Sequence, residues 1–175
     1  MDDLSRRLAQ GDAAAFAELY DLCAERLHKY LVLRLGNRDD AADVLQETFV
    51  RLVSSRRELQ PDRLVAYVFA AARNEAARFQ GRRSREPRTS SELDLQEMTG
   101  VDPWLSMAGE ESAQAVQAAL ASLNSEQREV VALRFYGELT FREIAEVTGL
   151  PQGTLATRYR AAIERLRGLL AKEQL

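Results

Sequence analysis

A chain of 175 residues that is 46% apolar and 29% charged, with nine Gly and four Pro, has a globular composition, and its length accommodates one ordinary domain or two small helical ones. One cysteine, Cys23, and one histidine, His28, exclude an internal disulfide, a thiolate cluster and most histidine-built metal or catalytic centres. The formal charge of −3 speaks against a uniformly basic nucleic-acid binder, and no stretch approaches the roughly 20 apolar residues that cross a bilayer.

The start, Met1-Asp2-Asp3-Leu4-Ser5-Arg6-Arg7, carries no apolar signal segment, so a cytoplasmic protein is expected. Ala, Leu, Arg and Glu dominate, and period-two alternation is missing, which predicts an all-α fold. Asp12 is placed to cap a helix through Phe16, Leu19, Tyr20, Leu27, Tyr30 and Leu31 that Gly36-Asn37 ends. Asn37, Asp39 and Asp40 begin the next, with acidic charge at its positive end and a stripe of Val44, Leu45, Phe49, Leu52 and Val53 turned inward. Its polar face keeps Asp43, Gln46, Glu47 and Arg51. A third helix is expected from Leu64 to about Gln80, entered after Pro61 and left near Gly81, with Leu64, Val68, Ala71, Ala72 and Ala76 inward.

Periodicity lapses from Arg82 to about Ser112, which reads as a tether in which Trp104 and Leu105 form at most a short turn resting on one domain. It returns through Val116, Ala119, Leu120 and Leu123. After the caps Asn124 and Ser125 it continues through Val130, Val131, Leu133 and Phe135, so a second domain of four helices is expected. The sharpest local signal is Leu139-Thr140-Phe141-Arg142-Glu143-Ile144-Ala145. Thr140 and Glu143 form a capping box there, and Leu139 and Ile144 a hydrophobic staple. Gly149 suits a tight turn and Pro151 presets the first turn of another helix, which makes a helix-turn-helix. In the second helix Leu155, Tyr159, Ala162, Ile163 and Leu166 fall on one face and turn Thr154, Thr157, Arg158, Arg160 and Ala161 outward. A small, basic face of this kind fits a DNA major groove, where threonine bonds phosphates or bases and arginine pairs with guanine.

Charge resolves along the chain into blocks that the total hides. Residues 54–88 carry 9 basic against 4 acidic groups and 140–175 carry 6 against 4, whereas the connector 89–113 carries 0 against 6. Basic segments hold phosphates by releasing counterions, and the acidic connector opposes this, so strong unaided DNA binding is not expected.

Residues 139–158 resemble region 4 of bacterial sigma factors, most closely the extracytoplasmic-function (ECF) group of the sigma-70 family. Ala121 to Val131 resembles the first half of that region, and Asp39 to Leu52 resembles region 2. The likeness implies two small helical domains joined by a flexible linker: region 2 in residues 1–86, an acidic linker in 87–111 and region 4 in 112–175. It implies docking of region 2 on core RNA polymerase through Asp43, Gln46, Glu47 and Arg51. It also assigns Ser54 to Arg63, with Arg56, Arg57 and Arg63, to a loop that captures an unstacked base of the minus-ten element. Arg73, Asn74, Arg78, Arg82 and Arg83 would contact the surrounding strand. A base swung out of the duplex needs polar groups at its edge and cations at its backbone, consistent with this basic block. In region 4 the likeness assigns Thr154, Thr157, Arg158 and Arg160 to the minus-thirty-five element, with Arg142 on a phosphate. Ala156 stands where many relatives carry Lys or Arg, leaving either no base partner or contact with a thymine methyl. Restraint by an anti-sigma factor is implied as well, since the amino-terminal inhibitory region and region 3 of larger relatives have no room here.

The expected function is therefore promoter-specific initiation with core RNA polymerase, on promoter DNA, without a cofactor or metal of its own. A freestanding helix-turn-helix regulator, binding without polymerase as a symmetric dimer, is the alternative within DNA binding. A protein that merely sequesters a partner fits less well with Arg158, Arg160 and the basic block. An enzyme fits least, for the sequence has no Gly-rich phosphate loop, metal-ligand spacing or nucleophile signature. Cys23 and His28 read as packing and surface residues.

Overall fold

A computed structural model describes residues 2–55, 63–83, 119–120 and 122–170; the expected tether beyond Arg83, with Trp104, and also Val116, Arg56 and Arg57 lie outside them. Among the described residues all regular structure is helical. The helices are α1 (Asp2–Ala9), α2 (Ala13–Leu35), α3 (Arg38–Ser55), α4 (Leu64–Arg83), α5 (Ser125–Phe135), α6 (Phe141–Thr148) and α7 (Gln152–Leu170).

Helix α1 was not anticipated. It buries Leu4 and Leu8, one turn apart, and is fastened to α2 through Arg7, whose guanidinium reaches Asp12 at 2.8 Å and Glu18 at 2.9 Å. Asp12 is also the expected cap of α2, accepting the Ala14 N–H at 2.9 Å, and Gly36 closes that helix in the left-handed conformation by donating to the Val32 carbonyl at 2.8 Å. The hydrogen bond from Arg7, then the Ala14 N–H, hold the Asp12 carboxyl below its ordinary pKa of 3.8. Asn37 performs the same service for α3 through the Asp40 N–H at 2.9 Å.

Leu19, Leu27, Tyr30 and Leu31 of α2, Val44, Leu45, Phe49 and Leu52 of α3, and Leu64, Val68, Phe69, Ala72 and Ala76 of α4 form the core of the first group. Tyr30 meets Phe69 edge to face with centroids 5.5 Å apart. Each such large apolar side chain contributes roughly 1.5–3 kcal/mol on burial. Two expected core positions are corrected: Tyr20 is 45% and Val53 46% exposed. Each follows a buried leucine by one residue, a rotation of about 100° that carries it past the face its neighbours cover. Helix α4 also runs on through Gly81 to Arg83 rather than stopping near Gln80. Gly81 takes no left-handed angle there, and a single glycine in a helix costs only about 1 kcal/mol.

In the second group α7 packs on both α5 and α6. Asn124 and Thr140 cap α5 and α6 with complete capping boxes. Leu139 and Ile144, the expected staple, are both buried, whereas Phe135 is 40% exposed and meets Tyr136 edge to face. The two groups are in contact. Val130, Leu133, Tyr136, Leu139, Ile144, Val147 and Leu155 belong to the same continuous buried cluster as the residues of α2, α3 and α4.

Candidate nucleic-acid interface

The helix-turn-helix is built as its residues dictate. Thr140 accepts the Glu143 N–H at 3.3 Å while Glu143 accepts the Thr140 N–H at 2.7 Å, so orphan donors at the start of α6 are satisfied reciprocally. At its other end Gly149 adopts φ 74°, ψ 10° and donates to the Ala145 carbonyl at 2.8 Å, turning the chain toward α7. Leu155 and Ala162 are fully buried, and Phe141 meets Tyr159 edge to face at 5.6 Å. Arg134 also lies over the Phe141 ring, 5.9 Å from its centroid, and donates to the Leu139 carbonyl at 2.9 Å. The angle between α6 and α7 is thereby fixed by ring packing and a glycine turn.

These contacts leave Thr154, Thr157 and Arg160 exposed on α7, with Ala156 half-buried. The Thr157 hydroxyl donates to the Gly153 carbonyl at 2.9 Å, which commits its proton and leaves its oxygen able only to accept. Arg160 has no ion pair among the described residues, whereas Arg158 is held by Glu126 of α5 at 2.7 Å. Arg142 is 73% exposed and only loosely paired with Glu146 at 3.8 Å.

On the first group, Asp43, Gln46, Glu47 and Arg51 share the outer face of α3. Arg51 reaches Glu47 at 3.2 Å and also Glu75 of α4 at 2.9 Å. Glu75 is buried, and Arg78 reaches the same carboxylate oxygen at 2.5 Å, while the other oxygen is buried without a hydrogen-bond partner. Sequence reasoning missed Glu75, although it sits on the inward stripe of α4, seven residues after Val68 and three before Arg78. It missed too the apolar groove between α2 and α3, about 670 Å³ and lined by Phe16, Tyr20, Leu45, Gln46, Phe49, Val50 and Val53. The signal was present as Tyr20, Val50 and Val53, apolar residues at the margin of the buried stripes.

The basic block separates into engaged and unengaged groups. Asn74 and Arg82 are exposed and have no ion pair or side-chain hydrogen bond among the described residues. Arg83 pairs with Asp40 and stacks at 5.8 Å on Phe79. Arg63 meets Glu146 at 3.5 Å and Arg73 meets Glu129 at 3.0 Å, both acceptors belonging to the second helical group. Glu129 also binds Arg34, whose Nε is buried without a partner. Among the described residues no cluster of His, Cys, Asp and Glu has the makings of a metal site.

Comparison with known proteins matches this arrangement over most of its length. The family model described as "Sigma-70 region 2" covers residues 19–86, and that described as "Sigma-70, region 4" covers residues 119–168. The ECF RNA polymerase sigma factor BldN of Streptomyces coelicolor is 34% identical over 97% of this chain, which spans 66% of that protein. The ECF RNA polymerase sigma factor RpoE of Cereibacter sphaeroides is 32% identical over 89% of this chain and 86% of its own length. Two solved structures share the fold. CnrH, in complex with the cytosolic domain of CnrY, gives a TM-score of 0.69 at 23% identity over 98% of this chain and 97% of that one. The sigma factor RpoE of Bartonella quintana, in complex with the anti-sigma factor NepR, gives 0.70 at 22% identity over 89% and 96%. The chain belongs to the sigma-70 family, in its ECF group, a family of transcription initiation factors rather than enzymes.

Proposed function

We propose that this chain is a dissociable promoter-specificity subunit of RNA polymerase, acting in the cytoplasm. Residues 1–86 dock on the core enzyme and engage the minus-ten element, residues 112–175 read the minus-thirty-five element, and residues 87–111 connect them. The observation that carries this reading is the presence of both family regions in order, each with its expected polar residues on an exposed helix face.

Asp43 and Gln46, with Glu47 beside them, supply the charged part of the polymerase-binding face, and the neighbouring groove of Tyr20, Val50 and Val53 supplies its apolar part. Arg51 supports this face from within through Glu75. Asn74 and Arg82 are the groups of α4 best disposed to meet a single strand, since other cations of that helix already hold carboxylates. Arg56 and Arg57 are retained as candidates from the sequence. On α7, Thr154, Thr157 and Arg160 enter the major groove, Ala156 offers at most a methyl contact, and Arg142 contacts a phosphate. Arg158 contributes once it leaves Glu126. The chemistry of RNA synthesis belongs to the polymerase. Restraint by an anti-sigma factor is proposed by extension from the Bartonella structure. Among the described residues no helix is long and apolar enough to cross a membrane.

Runoff transcription with purified core enzyme on a promoter library tests the reading. Asp43→Arg is expected to abolish copurification with core enzyme while helical circular dichroism is unchanged. Arg160→Ala should keep core binding and lower specific transcripts about tenfold, in line with roughly 1–3 kcal/mol for a good base contact. Tight, sequence-specific binding of promoter duplex by the chain alone at physiological salt would instead establish a freestanding regulator.

A further inference from the structure

Four charged side chains form a row across the first helical group, from α3 to α4. Glu47 and Arg51 lie one turn apart on α3, both about half exposed, and the Arg51 Nε donates to Glu47 at 3.2 Å. The same nitrogen stands 2.9 Å from Oε1 of Glu75 on α4. Arg78, three residues further along that helix, donates to this oxygen at 2.5 Å. Glu75 is 3% exposed, and its Oε2 is buried without a hydrogen-bond partner. One carboxylate oxygen therefore serves two guanidinium groups while its twin is unused.

A carboxylate is costly to bury, and the cost is best offset when an arginine grips both oxygens in its planar fork. Neither arginine does so here. Arg51 has a single Nε–H, which it gives to Glu47, and Arg78 approaches through a terminal nitrogen. When Glu47 is engaged from outside, the Arg51 Nε–H turns to Glu75, its fork can cover Oε2 as well, and Arg78 is no longer needed there. When Arg78 is drawn away, Arg51 must turn to Glu75, because a buried carboxylate stripped of cations is the costlier state, and Glu47 loses its partner. Both changes end in the same arrangement, so each favours the other.

The ends of the row belong to different surfaces. Glu47 lies on the face that the proposed function gives to core polymerase, and Arg78 is among the cations that the sequence assigns to the minus-ten strand. Resting on that reading, we infer that Glu75 is a positioning residue that joins the two faces. A polymerase cation at Glu47 draws Arg51 onto Glu75 and releases Arg78 to a strand phosphate, and capture of Arg78 by the strand tightens the hold on polymerase in return. Glu75 itself touches neither partner. All four side chains belong to the first helical group, and burial of Glu75 suits the role because water cannot supply the missing donors.

The test is the affinity of the full chain for purified core polymerase, measured by competition with a dye-labelled parent. Arg78 is about half exposed and is not among the polymerase-facing residues, yet Arg78→Gln should bind core roughly two- to fivefold more tightly, the size of effect that a half-exposed ion pair commands. Arg6→Gln, the same charge change at an exposed position of α1, should leave core affinity unchanged. In a Glu75→Gln background, adding Arg78→Gln should bring no gain. A purely structural Glu75 would shift the unfolding midpoint but not the dependence of core affinity on Arg78. Equal affinities of the Arg78→Gln and Arg6→Gln chains overturn the relay even where Glu75→Gln fails to fold, and a gain that survives Glu75→Gln removes Glu75 from it. A parent that binds no core sinks the promoter-subunit reading itself, whereas a parent whose binding is indifferent to Arg78 sinks only the relay.

Discussion

Cys23 shows what one buried side chain contributes. It is 1% exposed, its thiol donates to the Leu19 carbonyl at 3.0 Å, and burial pushes its pKa from 9.0 up to about 12 against a smaller opposing pull from Arg26. A value raised in the fold means that the neutral thiol is favoured there. The stabilisation is complete below about pH 9 and is lost as pH rises through about 12. The native chain should therefore resist iodoacetamide at pH 8 and react promptly in guanidinium, as read by intact mass; equal rates in both would contradict the burial. Asp12 works in the opposite sense: its lowered pKa makes its contribution to α2 present above pH 3.8 and lost as pH falls through its folded value. Glu75 illustrates a residue whose role changes that of another. Because Arg51 neutralises a buried carboxylate, loss of Arg51 weakens the first helical group as well as any polymerase contact, so Asp43 is the cleaner probe of docking.

Among the helices, α6 and α7 were the most legible. Thr140 with Glu143, Gly149 and Pro151 act within a few residues, and each does locally what its chemistry requires. The same reasoning predicts opposite outcomes for two glycines. At Gly149 an added Cβ meets nothing within 4 Å, so the cost of Gly149→Ala is that of the left-handed backbone, about 1–2 kcal/mol. Gly153 is helical and equally open, so Gly153→Ala should stabilise by about 0.5–1 kcal/mol. Chemical denaturation of the two variants checks this, and destabilisation by both would point to contacts the turn does not have. Helix α1 and the continuation of α4 through Gly81 were not legible because neither carries a strong terminal signal. What holds α1 is the burial of Leu4 and Leu8 beside α2 and the ion pairs of Arg7.

At the scale of the molecule, the shared apolar cluster makes the two helical groups thermodynamic partners. Leu133 is fully buried within it, and Leu133→Ala should cost about 2–5 kcal/mol. Hydrogen exchange should quicken in α2 and α6 together; an effect confined to α5, α6 and α7 would show that the groups fold independently. The same contact gives Arg73 and Arg63 their partners, so two residues chosen for DNA are engaged by carboxylates across it.

Helix content, caps, the turn of the helix-turn-helix and the polar faces of α3 and α7 were set by the sequence, because each depends on residues three or four positions apart. Which charges are available was decided by tertiary packing. Glu129 and Arg34 are 95 positions apart and Arg26 and Gly137 are 111 apart, separations over which no periodicity carries information. Burial brings such pairs together, and in a medium of low dielectric an arginine must find an acceptor, so the fold rather than the local pattern chose the partner.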